Sequence, residues 1–165
     1  MNIITFATPV SVAPPKLWAV SLYTNTLSKY AFEASKVAIL QLLTTKQSTL
    51  VPILGKRSGY ELDFSKRDEC CKRGYPWTFT TIRSDESGPV SLDVLPECAS
   101  YIVLQLMSSH AAGDHDVALC QVIGTGKWNH EQQNVDFLEG GEPPFSAKDH
   151  NTVLYTAQLR KEGII

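Results

Sequence analysis

Ile3-Ile4-Thr5-Phe6-Ala7-Thr8-Pro9-Val10-Ser11-Val12 opens a segment, Asn2 to Leu43, that reads strand, turn, strand, helix, strand. Its β-branched residues and partial alternation of apolar with small polar side chains are those of a half-buried strand. Pro9 has no amide to donate to a ladder, so it belongs at a sheet edge or a bulge. Ala13-Pro14-Pro15-Lys16 then ends the strand in a turn, because paired prolines hold the backbone extended. Leu17-Trp18-Ala19-Val20-Ser21-Leu22-Tyr23 has no internal Gly or Pro and reads as a second strand.

Thr24-Asn25-Thr26 follows, and after it Leu27, Tyr30, Ala31 and Ala34 recur at the spacing of one helical face. An Asn or Thr ahead of that run is a ready N-cap, whose side-chain oxygen accepts one first-turn amide and leaves others free. Free amides at the positive end of a helix suit an anion, and Thr24, Asn25, Thr26, Ser28 and Lys29 surround this one with hydroxyls, an amide and an ammonium. Phosphate fits that arrangement best; a plain capped helix with a solvated lysine is the alternative.

Working outward, Lys36 to Leu43 is apolar nearly throughout and predicts a central strand buried on both faces, with a helix as the other reading. Thr44 to Leu54 predicts a short helix whose stripe is Leu50, Ile53 and Leu54, limited by Pro52 and stopped by Gly55. Lys56-Arg57-Ser58-Gly59 is a cationic turn, and such runs are usually solvated surface charge. Tyr60 to Cys71 predicts a surface helix, and Trp77 to Ile82 alternates large apolar residues with Thr, so one face of that strand must be buried. Arg83 to Pro89 is turn chemistry, Val90 to Val94 a short edge-like strand and Ala99 to Met107 a long one. Ser108 to Asp114 reads as a polar connection to an antiparallel strand, Val117 to Gly126. Asn129 to Asn151 has the composition of a long loop over a site or a partner; Thr152 to Thr156 predicts a last strand, and Lys161 to Ile165 a tail. Many strands joined by short turns argue for a closed or nearly closed barrel.

At 165 residues the chain is expected to form one domain, residues 1–165. With 15 basic and 17 acidic side chains it carries a formal charge of −2, no electrostatic footprint for nucleic acid. No apolar run approaches the roughly 18 residues that span a bilayer, and the N-terminus lacks the regions of a secretory signal, so neither a membrane nor secretion is expected and the compartment expected is cytoplasmic. Cys70, Cys71, Cys98 and Cys120 read as reduced, partly buried thiols rather than disulfides, and no pair has the spacing of a zinc site, so no metal is expected.

The order of these pieces resembles the flavin reductase-like proteins with an FMN-binding split barrel. The resemblance rests on Thr5 to Leu43, with its strand before Pro9-Val10-Ser11, the Pro14-Pro15 turn, the polar cluster opening a helix and the apolar strand. It continues through Gly55-Lys56-Arg57-Ser58-Gly59, Leu95-Pro96-Glu97-Cys98, Gly113-Asp114-His115 and the terminal Leu154-Tyr155. It implies a mainly β fold with flanking helices, a split β-barrel of the FMN-binding type. It also implies non-covalent FMN, NAD(P)H as electron donor, a homodimer with flavin near the interface, and an electron acceptor or oxygenase downstream. The implied flavin site comprises Ala7, Thr8, Pro9 and Val10 along the ring, and Leu22, Tyr23, Thr24, Asn25, Thr26, Ser28 and Lys29 about the phosphate. Lys56 and Ser58 are implied as further contacts; His115 is implied on the nicotinamide side, where Asp114 can fix its tautomer. Two departures stand out: the first strand begins almost at Met1, so the leader strand or helix of other members is expected to be short or missing, and Tyr23 stands where a smaller or more polar residue is expected near the phosphate. They keep two rivals open, an FMN-binding electron-transfer protein without reductase activity and a flavin-free interaction domain on the same barrel.

Overall fold

The computed structural model describes residues 1–4, 6–11, 13–84, 88–139, 153–154 and 156–164. Its elements are β1 (Ala7–Ser11), β2 (Leu17–Tyr23), α1 (Leu27–Ser35), β3 (Val37–Leu42), a 3-10 turn (Thr45–Leu50), α2 (Val51–Lys56) and α3 (Lys66–Lys72). They continue with β4 (Thr78–Ser84), β5 (Gly88–Val94), β6 (Ser100–Ala112), β7 (His115–Asn129), β8 (Asn134–Glu139) and α4 (Thr156–Lys161). All strand pairs are antiparallel. The large sheet runs β1-β2-β7-β6-β3 with β8 on β7, and β4-β5 form a separate ribbon.

The sheet divides along β7. Its first half, His115 to Gln121, pairs with β2, and its second half, Gly124 to Asn129, pairs with β8. That divergence requires close approach at Gly126, where an added Cβ would lie 2.6 Å from Val135 Cγ1 and 3.0 Å from the Asp136 carbonyl. No side chain fits there.

Two cores result. Val20, Leu22, Phe32, Ile102, Leu104, Leu106, Ala118 and Cys120 pack α1 against β2, β7 and β6. Leu50, Ile53, Leu54, Cys70, Val94, Leu95 and Tyr101 pack α2 and α3 beneath the other side of β6. Between them β6 is buried on both faces from Ser100 to Leu104. Gln47 is wholly buried, and its amide is satisfied by accepting from the Thr44 amide at 2.9 Å and donating to the Pro96 carbonyl at 2.8 Å.

Several expectations are met in detail. Pro9 sits on the outermost strand, and the β1 register shifts between Pro9 and Ser11, so both readings of that proline hold. Thr26 caps α1, its Oγ1 accepting from the Lys29 amide at 3.3 Å. Cys70, Cys98 and Cys120 are buried free thiols and Cys71 is an exposed one, with burial pushing the Cys98 thiol up to about 12 and Cys120 to about 11.

Others need correction. β3 lies at the edge of the sheet and is mostly half-buried; the strand buried on both faces is β6. Pro52 does not limit a helix but sits in the first turn of α2, where a missing amide costs nothing, and α2 runs through Gly55 to Lys56. The helix expected from Tyr60 starts only at Lys66, after the Ser65 cap. In β4 one face is covered as expected, but it is the one that carries Thr80, and Phe79 faces outward, 68% exposed. β6 extends to Ala112, so the polar connection shrinks to Gly113-Asp114, with Gly113 at φ +73°. Part of the expected 129–151 loop is β8, held by the Val135 and Phe137 alternation; residues 140–151 lie outside the described residues. Of the predicted last strand only a bridge between Thr44 and Val153 is observed, Thr156 begins α4, and Thr152 and Tyr155 lie outside the described residues, as do Thr5 and Val12.

Candidate functional site

The start of α1 is built from the end of β2 and the β6–β7 turn. β2 pairs with β7 so that Leu22 faces Asp116 and Tyr23 faces His115. The chain then leaves the sheet, and Thr24 donates its amide at 3.1 Å and its hydroxyl at 3.3 Å to the Asp114 carbonyl. Thr26 bonds back to the Tyr23 carbonyl through its hydroxyl while capping Lys29. The amides of Leu27 and Ser28 precede the first intrahelical bond and have no acceptor among the described residues. Two predicted clusters, residues 22–29 and 114–115, are thereby brought side by side across 90 residues of sequence.

His115 and Asp114 form an ion pair or hydrogen bond, Nδ1 to Oδ1 at 2.7 Å. The imidazole lies against the Tyr23 ring, centroids 3.9 Å apart, and Asp114 is largely exposed. The hydrogen bond from His115 holds the Asp114 carboxyl below the usual range. A group with a depressed folded pKa stabilises the fold above its unfolded pKa and loses that contribution as pH falls through the folded value. Carbon-detected NMR should therefore find the Asp114 carboxyl titrating below an ordinary aspartate, and His115→Ala should return it to normal. An Asp114 midpoint identical in the two proteins would dismiss the pairing.

Lys29 is oriented by two carboxylates, Asp116 at 2.8 Å and Glu33 at 3.4 Å. The hydrogen bond to Asp116 raises its pKa, and the side chain is mostly covered. The ammonium thus ties α1 to β7 rather than standing free at the helix start. Asp116 was not anticipated; a lone carboxylate in the otherwise apolar run after His115 is the signal for it, since strand-buried charge is rare unless paired.

The helix start opens into a cleft of about 510 Å³. Its walls bring Tyr23, Asn25, Thr26 and Ser28 together with Lys56 and Ser58, which the sequence placed near one another only by resemblance. Gly59 packs against the helix, an added Cβ there lying 2.9 Å from Leu27 Cδ1. Ser58 is held by its amide donating to Glu61 at 2.7 Å, and Lys56 has no partner among the described residues. Arg57, Tyr60, Lys66, Arg67 and Trp77 also line the cleft, beside Met1, Asn2, Phe64 and Ser65, and sequence reading did not assign them to a site. Arg57 was legible as charge but reads equally as solvated surface, and nothing local brings Trp77 to residue 67.

Thr24, Lys29, Asp114 and His115 lie beside the cleft rather than in it, and Ala7 to Val10 are not among its walls. β1 keeps Thr8, Pro9 and Val10 exposed on its outer edge, and the Phe6 carbonyl accepts from Ser21 at 2.9 Å, two residues before Tyr23. Ala7 instead borders a separate apolar cavity of about 400 Å³ with Trp18, Leu40 and Leu42. Among the described residues no group of three or more metal-ligating side chains is present, and no helix is long and apolar enough to cross a membrane.

Residues 2–141 match the flavin reductase like domain family. No protein of curated function matches the chain in sequence. In structure it is similar to an FMN-binding protein from Thermus thermophilus solved with 1-cyclohex-2-enone, at 18% identity and a TM-score of 0.55 over 88% of this chain and 80% of that one. It is similar to flavoredoxin from Methanosarcina acetivorans at 8% identity and a TM-score of 0.57, again over 88% and 80%. An NADH:FAD oxidoreductase from Streptomyces globisporus follows at 17% identity and 0.51, over 85% and 74%. At these identities the likeness carries the fold alone: mainly antiparallel β with few helices, the split barrel of FMN-binding flavin reductases.

Proposed function

Because the chain belongs to the flavin reductase-like domain family, we propose that it binds a flavin nucleotide, FMN in the simplest form, and oxidises NAD(P)H. The observation that carries this reading is the start of α1, where two unpartnered amides at the positive end of a nine-residue helix face a cleft without a carboxylate among its described walls. That environment fits the phosphate of a flavin nucleotide. The amides of Leu27 and Ser28, the Thr26 and Ser28 hydroxyls and Asn25 would hold it, with Thr24 fixing the loop through Asp114. Lys29 supports the helix through Asp116, and Asp116 and Glu33 together offset its charge. Lys56 and Ser58 line the same cleft.

The outer edge of β1 at Ala7 to Val10 offers unpaired backbone donors and acceptors suited to the polar edge of the ring. Bound flavin would supply the hydride-accepting chemistry, as cofactors do, while the chain sets position and electrostatics. On the donor side, Asp114 engages Nδ1 of His115 and leaves Nε2 for the nicotinamide nucleotide. The buried free thiols Cys70, Cys98 and Cys120 suit a reducing compartment, the cytoplasm.

Purified protein titrated with FMN and assayed for NAD(P)H oxidation tests the reading. Flavin uptake with turnover is expected, and His115→Ala should raise the KM for NAD(P)H about tenfold, the scale of one lost hydrogen bond to a charged partner, with FMN affinity retained. Uptake without turnover would favour an electron-transfer protein, and no uptake a flavin-free interaction domain.

The exposed face of α1 supports a homodimer as part of this reading. The stripe Leu27, Tyr30, Ala31 and Ala34 faces outward while Phe32 alone is buried, leaving Tyr30 50% and Leu27 45% exposed. Tyr30→Glu should convert a dimer to a monomer in sedimentation; a wild type monomeric at all concentrations would end that part of the proposal.

A further inference from the structure

Tyr23 is larger than the residue expected at its position, and its ring has a partner across the sheet. β2 and β7 pair so that Tyr23 stands directly opposite His115, where side chains of one face meet. The two rings touch, with centroids 3.9 Å apart and planes inclined by 38°. On its other side His115 faces Ala112 of β6, which offers only a methyl group. Among the described residues, then, the imidazole is held by the Asp114 carboxylate on Nδ1 at 2.7 Å and by the Tyr23 ring.

These two partners restrain different motions. A hydrogen bond fixes one ring atom and leaves the imidazole free to swing about it, whereas an aromatic neighbour restrains the plane. Asp114 does not supply the second restraint, because its side chain stands in the turn and is 80% exposed. Tyr23 is the better anchored of the two. Its backbone is paired along β2, its carbonyl accepts from the Thr26 hydroxyl at 3.2 Å, and the Thr24 amide that follows is tied to the Asp114 carbonyl at 3.1 Å. The Tyr23 hydroxyl has no partner among the described residues, so what it brings to His115 is the ring.

Resting on the reading of His115 as the donor-side residue, we infer that Tyr23 is its positioning residue. The Tyr23 ring holds the imidazole plane so that Nε2 keeps one direction, while Asp114 fixes the tautomer. Tyr23 acts through His115 and not through a contact of its own with the donor.

Nitrogen-15 NMR of the imidazole and NADH kinetics test this on wild type, Tyr23→Phe, Tyr23→Ala, His115→Ala and the double variant Tyr23→Ala/His115→Ala. Tyr23 is 57% exposed, so its truncation leaves the cores packed, and circular dichroism checks the fold. At a pH where the ring is neutral, wild type and Tyr23→Phe are expected to carry the His115 proton on Nδ1, where the Asp114 carboxylate accepts it. Tyr23→Ala is expected to show the averaged shifts of two tautomers. In the assay Tyr23→Ala should raise the KM for NADH about three- to tenfold, the scale of one aromatic pair, and Tyr23→Phe by less than about twofold. Because Tyr23 works through the imidazole, Tyr23→Ala should add nothing to the loss in His115→Ala. An unaltered tautomer in Tyr23→Ala, an equal loss in Tyr23→Phe, or additive losses in the double variant overturns the inference and leaves the flavin reading in place. No NADH oxidation by FMN-loaded wild type sinks the proposed function instead, and the tautomer comparison then decides the positioning role by itself.

Discussion

Tyr101→Phe is expected to lower the free energy of unfolding by about 2–4 kcal/mol, the cost of leaving two buried backbone groups without partners. Tyr101 is fully buried; its hydroxyl donates to the Leu95 carbonyl and accepts from the Cys98 amide at 3.1 Å. Burial pushes the phenol far above its ordinary range, so the hydroxyl stays protonated and able to donate. Phenylalanine keeps the ring packing of the second core but strands an N–H and a C=O at a fully buried position. Urea unfolding would read the change as a shifted midpoint at constant slope. Tyr60→Phe, at a position 54% exposed, serves as the control and should change stability by less than about 0.5 kcal/mol. A comparably small effect at Tyr101 would mean that the Leu95 to Cys98 turn is held by something else.

Leu27→Pro should weaken flavin binding about 10- to 100-fold while leaving α1 folded. Proline is favoured at the first helical position, where its missing amide breaks no intrahelical bond. The preceding Thr26 already has φ −123° and ψ 142°, the extended conformation that a following proline demands. Its side chain caps Lys29 rather than Leu27, so the cap survives. What disappears is one amide aimed at the anion, and a hydrogen bond to a charged group is worth roughly 1.5–3 kcal/mol, with about 1.4 kcal/mol per factor of ten. Leu27→Ala controls for the lost side chain, which touches the loop at Gly59. Equal flavin dissociation constants for the Pro and Ala variants would remove the helix start from the site.

Helix α1 shows how far periodicity reaches. Leu27, Tyr30, Ala31 and Ala34 do share a face, but that face points to solvent and the core takes Phe32 from the other side. Spacing reports that apolar side chains coincide and is silent about what covers them. β3 and β6 show a similar limit, since both are apolar runs and only neighbouring strands decide which is central. The candidate site divides in the same way. Thr26 as a cap, free amides behind it and the Asp114–His115 pair were legible, because each depends on residues within a few positions of one another. The Lys29–Asp116 bridge and the cations along the cleft were not.

By itself the sequence determined much of the local grammar: that Ala7 to Ser11, Leu17 to Tyr23 and Val37 to Leu42 are strands, where Pro9 forces an edge and a bulge, where an Asn or Thr cap starts a helix. Those choices follow from backbone sterics and short-range hydrogen bonding, which act within a turn or two of chain. Only the tertiary structure decided that Lys29 answers to Asp116 and that residues 1–2, 23, 25–28, 55–60, 64–67 and 77 enclose one cleft. Coulombic pairing and shared burial depend on distance in space, and the fold brings Thr24 to Asp114 across 90 positions that no local pattern records.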